Sequence, residues 1–304
     1  MSEPHAGGTR CGFVALIGAP NSGKSTLLNR LVGAKVSIVT PKVQTTRSRI
    51  RAIAIEGASQ IVYVDTPGIF APKRRLERAM VAAAWSGVED ADQRVLLFDA
   101  SRRQIDRDTR LILDGLKARG RDAMLALNKI DRIKPPVLLE LAARFEAEGL
   151  FSRIFMISAL TGDGVEDLRR WLAERMPPGP WLYPEDQLSD LPERLLAAEA
   201  TREQLFLRLH EELPYALTVE TEDWRELDDG SLRLEQTVFV RRESHRKICL
   251  GRGGQQIKAV REAAQAQLQE MFGRRVHLFL FVKVRAGWPD DPARYRQWGL
   301  EFDA

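Results

Sequence analysis

The chain reads as an α/β domain with a mostly parallel sheet and helices on both faces, followed by a smaller α+β domain. Three observations predict this. From Gly12 to about Met176, short apolar runs alternate with amphipathic stretches, the pattern of a parallel sheet covered on both sides. From Met176 to Pro192 the pattern breaks at Pro177, Pro178, Pro180, Pro184 and Pro192, as in an extended, semi-rigid connector. Beyond it, the pattern runs helix, strand, strand, helix, glycine-rich loop, helix, strand.

In the first domain, strands are expected near 13–17, 61–64, 95–98, 123–127 and 154–157, each a short apolar run. Leu27, Leu28, Leu31 and Val32 recur at helical spacing after the first strand, and Thr109 to Ala118 and Pro136 to Glu148 read as further helices. In the second domain, Glu193 to Leu213 carries a leucine stripe along one side. Tyr215 to Trp224 and Leu232 to Val240 alternate as two strands around the turn Asp228-Asp229-Gly230-Ser231. Glu243 to Leu250 reads as a short helix and Gln255 to Phe272 as a long one. Val276 to Val284 alternates strictly, as a closing strand.

Composition excludes several classes. With 304 residues, 44% hydrophobic and 29% charged, the chain is an ordinary globular one. No apolar stretch approaches a membrane-spanning length, and Met1 to Arg10 has no signal-peptide core. Cys11 and Cys249 are far apart, which supports neither a disulfide framework nor a zinc site and fits a reducing cytoplasm. Net charge is only +4, but its distribution is uneven. Residues 199–235 hold 4 Lys/Arg against 11 Asp/Glu, and 241–285 hold 11 against 3. Such a switch predicts a polarised second domain with a basic side.

Four motifs carry chemistry, all at the C-terminal ends of predicted strands, where open α/β sheets bind ligands. Gly18-Ala19-Pro20-Asn21-Ser22-Gly23-Lys24-Ser25 has the spacing of a phosphate-cradling loop. Its glycines free the backbone to curl around phosphate, Lys24 reaches the β- and γ-phosphates, and Ser25 ligates Mg²⁺. Asp65-Thr66-Pro67-Gly68, followed by Ile69, ends the next apolar run. There Asp65 is expected to hold Mg²⁺ through a water, and the Gly68 N–H to approach the γ-phosphate. Lys24, Asp65 and Gly68 are therefore the catalytic candidates. Asn128-Lys129-Ile130-Asp131 suits a base reader. A carboxylate at Asp131 accepts two hydrogen bonds from guanine, whereas adenine would leave it unpaired in a desolvated pocket. Ser158-Ala159-Leu160 offers a backbone N–H for guanine O6. Each motif alone is also a common turn; their order along one chain favours the chemical reading, and Asp131 argues against an adenine-nucleotide enzyme.

The ordered set GAPNSGKS, Thr45-Thr46, DTPG, NKID and SAL resembles the five G motifs of translation-factor-class GTPases. Gln44 to Ile50, QTTRSRI, followed by DTPG resembles the Era family more narrowly. That resemblance implies a P-loop GTPase domain followed by a type II KH domain, and it extends from Cys11 to about Leu300. The implied bounds are a tail over 1–11, a G domain over 12–179, a linker over 180–198, a KH domain over 199–287 and a C-terminal tail over 288–304. Ala19 and Ser22 depart from residues often seen in that loop, but the loop holds phosphate mainly through backbone and Lys24.

The second domain's helix–strand–strand–helix–GRGG–helix–strand order fits this expectation. KH modules clamp nucleic-acid backbone on a GXXG loop. Gly251, Arg252, Gly253 and Gly254 form that loop here, flanked by Arg246, Lys247 and Lys258, with Ile248 and Ile257 as the apolar groove. The resemblance further implies binding of GTP and GDP and of the 3′ region of 16S rRNA, and assistance to 30S subunit biogenesis. It also implies Mg²⁺ on Ser25, Asp65 and one of Thr45 and Thr46, K⁺ beside Asn21, and a monomeric cytoplasmic protein. Peripheral contact with the inner membrane belongs to the same set of expectations. Ile69 and Phe70 occupy positions where Ras-like enzymes orient water with glutamine, so intrinsic hydrolysis is expected to be slow, within a few orders of roughly 10⁻⁴ s⁻¹.

Overall fold

A computed structural model describes residues 8–42 and 45–304. By internal contacts the chain forms two units. The described residues of Ile38–Thr45, together with Leu191–Tyr295, make one; the rest of the described chain makes the other.

The first unit is built on a six-stranded sheet in the order β2-β3-β1-β4-β5-β6. The strands are β1 (Arg10–Ile17), β2 (Ile50–Glu56), β3 (Ser59–Asp65), β4 (Gln93–Asp99), β5 (Ala123–Asn128) and β6 (Phe151–Met156). All neighbours are parallel except β2, which pairs antiparallel with β3. Both faces are covered, as expected. Val14 and Leu16 of β1 pack with Leu27, Leu28 and Leu31 of α1 (Lys24–Val32) and Leu168 and Leu172 of α5 (Val165–Ala173). Ala15 and Ile17 point the other way, into a core with Ala84 and Val88 of α2 (Arg75–Asp90), Ile112 and Leu116 of α3 (Arg107–Ala118) and Phe145 of α4 (Pro135–Glu146). That is why β1 reads as a continuous apolar run rather than an alternating one.

Strand β2 was not expected. Its sequence IRAIAIE is diluted by alanines and charged at Arg51 and Glu56, and only its antiparallel register with β3 through the tight turn at Gly57 makes it a strand.

The second unit opens with α6 (Glu193–Arg208). It continues through β7 (Leu217–Glu226), β8 (Leu232–Val240), α7 (Glu243–Leu250), α8 (Gln255–Phe272) and β9 (Val276–Val284) to α9 (Pro292–Gln297), whose last two residues fall in the first unit. Its sheet runs β7-β8-β9, with β8–β9 parallel. One face packs against α6 and α8 through Leu205, Phe206, Val219, Val238, Val260 and Leu268. On the other face Phe279 and Phe281 stand exposed. The first helix ends at Arg208 instead of Leu213: Glu211 has a positive φ of 55° and Pro214 cannot extend the ladder.

The expected linker over 180–198 is shorter in the structure. Residues 180–190 lie on the first sheet: Ile53 N donates to Leu188 O at 2.9 Å, Gln60 Nε2 donates to Tyr183 O at 2.7 Å, and Arg51 pairs with Asp190 at 3.2 Å. Residues 193–198 are already helix. The proline-rich composition marks the exit from the first domain, but backbone hydrogen bonds hold the segment down. The expected C-terminal tail over 288–304 includes α9 and several buried side chains. Trp288, Tyr295, Trp298 and Leu300 are buried, and Trp288 Nε1 donates to Ala216 O at 3.3 Å within the second unit. Residues 1–7 of the expected N-terminal tail lie outside the described residues, while Arg10 and Cys11 belong to β1. No helix among the described residues is long and apolar enough to cross a membrane.

Candidate nucleotide site and GRGG loop

The phosphate-loop motif joins β1 to α1 and holds two backbone conformations that few sequences adopt. Gly23 has φ 103°, and a Cβ there would sit 2.2 Å from Asn128 Nδ2, so only glycine fits. Asn21 is also left-handed, at φ 63°, a conformation that concentrates at functional sites. Gly23 caps α1 without any side-chain hydrogen bond, and no acidic residue occupies the first turn. The helix N-terminus is thus open to an anion.

Lys24 is buried and donates to Gly18 O and Ala19 O, each at 3.1 Å. Burial pulls its ammonium down to about 8, opposed by the charge of Asp65. Asp65, fully buried at the end of β3, accepts from Ser25 Oγ at 2.8 Å and Ser37 Oγ at 3.0 Å on one oxygen, with Thr46 Oγ1 at 3.4 Å. Its other oxygen, Oδ1, is buried without a hydrogen-bond partner. Burial raises the Asp65 carboxyl, while Lys24 and the three hydroxyls oppose the rise. Ser25 and Thr46 hydroxyls lie 3.0 Å apart. This is a hard-oxygen cluster with one orphaned carboxylate oxygen, which fits Mg²⁺. Among the described residues no group of three His, Cys, Asp or Glu gathers as a metal site.

The rest of DTPG leans on the phosphate loop. Thr66 Oγ1 donates to Leu16 O at 2.9 Å, Ile69 N to Gly18 O at 3.2 Å, and a Cβ on Gly68 would lie 3.0 Å from Pro20 N. The Ile69 side chain is buried in the sheet core rather than facing a water. On the base side, Asn128 is the knot. Its Nδ2 donates to Ser22 O at 2.8 Å, and its Oδ1 accepts from Ala159 N at 2.9 Å and Lys129 N at 2.8 Å. Ser158 Oγ holds one oxygen of Asp131 at 2.7 Å. Ile130 N donates to Ile157 O at 3.3 Å. The four motifs expected to meet do meet.

In the second unit, α7 ends in the GRGG turn that starts α8. Gly251 has φ 72°, and a Cβ there would clash with Gln256 at 2.6 Å. Gly253 and Gly254 have φ 59° and 78° and face open space. Gly254 caps α8 with no side-chain bond and no acid in the first turn, so this helix N-terminus is also open to an anion. Arg252 and Lys247 are exposed, and Ile248 is 56% exposed beside them. Ile257 instead lies half-buried against the core of the unit. Arg246 is tied to Glu243 at 2.8 Å and to Val282 O at 3.2 Å, and Lys258 lies 3.9 Å from Glu262.

A model of 50S ribosome-binding GTPases matches residues 13–129, and a KH-domain model matches 212–289. GTPase Era of Rhizobium meliloti (strain 1021) is 60% identical over 294 residues, covering 97% of this chain and 94% of its own. GTPase Era of Brucella suis biovar 1 (strain 1330) is 58% identical over 300 residues, 99% of this chain and 96% of its own. The chain belongs to the Era family of GTPases. The crystal structure of Era in complex with MgGDPNP and nucleotides 1506–1542 of 16S ribosomal RNA superposes with a TM-score of 0.89 at 35% identity, covering 96% of this chain and 99% of that one. A variant of Aquifex aeolicus Era bound to GDP·AlF₄⁻ gives 0.87 at 36%, with the same coverage.

For this Era-family chain the sequence left Thr45 and Thr46 equivalent as metal candidates, and the structure separates them. Thr46 reaches the Ser25–Asp65 cluster. Thr45 Oγ1 instead lies 2.6 Å from Thr40 Oγ1 and donates to Lys42 O at 2.7 Å, in a turn of the second unit where Val39 N also donates to Glu203 at 2.7 Å. Gln44 lies outside the described residues. Two residues were missed: Ser37, whose hydroxyl on Asp65 has no sequence signal, and Asp99, an acid at the C-terminal end of β4 that its position alone would have flagged. Both cysteines are buried, and burial pushes the Cys249 thiol up to about 12.

Proposed function

We propose that this Era-family GTPase binds GTP and GDP at the C-terminal edge of the first sheet and the 3′ region of 16S rRNA at the GRGG loop, assisting rRNA processing and 30S subunit biogenesis. The observation that carries the reading is the near-complete superposition on Era holding MgGDPNP and 16S rRNA nucleotides, with an open, glycine-capped helix N-terminus at both places where this chain would need one.

The phosphates sit on the backbone of 18–25 and the start of α1, with Lys24 turning from the Gly18 and Ala19 carbonyls to the β- and γ-phosphates. Ser25 and Thr46 would hold Mg²⁺ through their hydroxyls, with Asp65 supporting them. When bound there, Mg²⁺ supplies positive charge against the γ-phosphate oxygens. Gly68, lying against Pro20, offers its N–H to the γ-phosphate. Asp131, oriented by Ser158, reads the guanine N1–H and N2–H₂ edge; Asn128 fixes the loop, the Lys129 stem covers the base, and the Ala159 region faces O6. With Ile69 turned into the core, no side chain at that position orients water, so unassisted hydrolysis is slow. K⁺ beside Asn21 belongs to the same proposal, and equal rates in Na⁺ and K⁺ buffers would remove it.

At the second site Arg252, Lys247 and Lys258 attract the sugar-phosphate backbone while Gly253 and Gly254 let it lie against α8. Binding of 16S 3′-end RNA measured against salt, with and without Gly253→Asp plus Gly254→Asp, tests this. The reading predicts steep salt dependence and loss of binding in the double variant; retained binding would remove the loop's assignment.

A further inference from the structure

We infer that Asp99, at the end of β4, is a positioning residue for guanine-nucleotide binding, acting by holding the Lys129 ammonium and, through it, the phosphate loop. The inference rests on the assignment of Lys129 to the base face.

The geometry is a short chain of contacts within the first unit. Lys129 has a left-handed backbone, φ 68°, and its Nζ lies 2.6 Å from Asp99 Oδ2 and 2.8 Å from Asn21 O. Asn21, also left-handed, is thus fastened through its carbonyl to the base-reading loop. Asp99 is itself fixed: Ser101 Oγ and N donate to its Oδ1 at 2.6 and 3.1 Å. Arg102, following on the same turn, donates to Pro20 O at 3.1 Å and comes within 4.0 Å of Asp99. Two consecutive phosphate-loop carbonyls are therefore gripped from outside, Pro20 by Arg102 of the segment after β4 and Asn21 by Lys129 of the loop after β5. Burial alone would raise the Asp99 carboxyl, but hydrogen bonds from Lys129 and Ser101 outweigh it and hold it below the ordinary carboxylate range. Asp99 is thus ionised at neutral pH, as a partner for an ammonium must be. A charged pair at 2.6 Å with a largely buried carboxylate is of the stronger kind.

The consequence is kinetic. A lysine stem free to swing would neither stay across a purine face nor hold Asn21 in a strained conformation. Removing the carboxylate leaves the base contacts unorganised, so the nucleotide leaves faster.

The test is release of a fluorescent GDP analogue from the full chain, with GTP turnover measured in parallel. Asp99→Ala is expected to speed release about tenfold and to raise KM by a larger factor than it changes kcat. Asp99→Asn, which keeps the shape and the Ser101 contacts, should give a smaller change in the same direction and guards against a folding defect. In a Lys129→Ala background, Asp99→Ala should add less than about twofold, because coupled residues are not additive. The inference fails if both Asp99 variants release GDP at the wild-type rate, or if the Asp99 effect is undiminished without Lys129. If Lys129→Ala itself leaves release unchanged, the base-face assignment fails and the inference falls with it.

Discussion

The nucleotide edge and the GRGG loop start from the same device. Each is a helix N-terminus capped by a left-handed glycine, with no side-chain cap and no acid in the first turn. They differ in everything around it. At the nucleotide edge, Gly23 is sterically obligatory, and Asn128, Lys129, Ser158 and Asp99 are already hydrogen-bonded into place. At the GRGG loop, Gly253 and Gly254 face open space, and Arg252 and Ile248 extend into solvent. The first arrangement suits one small ligand met in one pose, since preorganised groups lose little entropy on binding. The second suits a polymer whose backbone is gripped through charge and close approach, with side chains ordering on contact.

The largest way to break the contrast is at the base. If Asp131 reads guanine as proposed, Asp131→Asn removes the acceptor of two charge-assisted bonds, so GTP affinity should fall on the order of a thousandfold, and preference over ATP should shrink with it. Competition binding checks this. Next come paired glycine changes. Gly23→Ala drives a Cβ into Asn128 and is expected to cost about a hundredfold or more in GTP affinity. Gly253→Ala meets no atom and costs only backbone strain, roughly fivefold in RNA affinity. Equal losses would erase the distinction between a fitted and an open loop.

Titration sharpens it further. Lys24 sits near 8 in the ligand-free protein, and bound phosphates favour its charged form, so nucleotide binding takes up a proton once the free lysine has lost it. GTP affinity should therefore fall as pH rises above about 8, by up to about tenfold per unit, and be flat in this respect below pH 7. Calorimetry in buffers of different ionisation enthalpy reads that proton directly. The smallest effect is at Arg252. Its replacement by alanine should lower the salt slope of RNA binding by about 0.7 to 0.9 while leaving GTP affinity unchanged.

The motifs were legible because each is a local stretch whose residue types have little else to do together, and the sheet gathers them by placing all of them at strand C-terminal ends. Strand β2 was not, because alanines and terminal charges hide its alternation and only pairing with β3 makes it a strand. The linker misled for a related reason: proline content announces an extended backbone but not that Ile53 and Gln60 will hydrogen-bond to it. Thr45 and Thr46 are neighbours in sequence, and only the turn closed by Thr40 and Lys42 sends their hydroxyls apart. Ile257 reads as groove in the sequence and lies half in the core, because α8 presents that position inward.

The central claim is that a guanine-nucleotide grip and an RNA grip serve one function in one chain. Crosslinking and sequencing of bound RNA, with the protein loaded with a non-hydrolysable GTP analogue and then with GDP, tests it most directly. Crosslinks are expected in the 3′ region of 16S rRNA, mapping to the GRGG loop, with a yield that differs between the two nucleotide states. Crosslinks scattered over unrelated RNA, or identical in position and yield with GTP analogue and GDP, would contradict it.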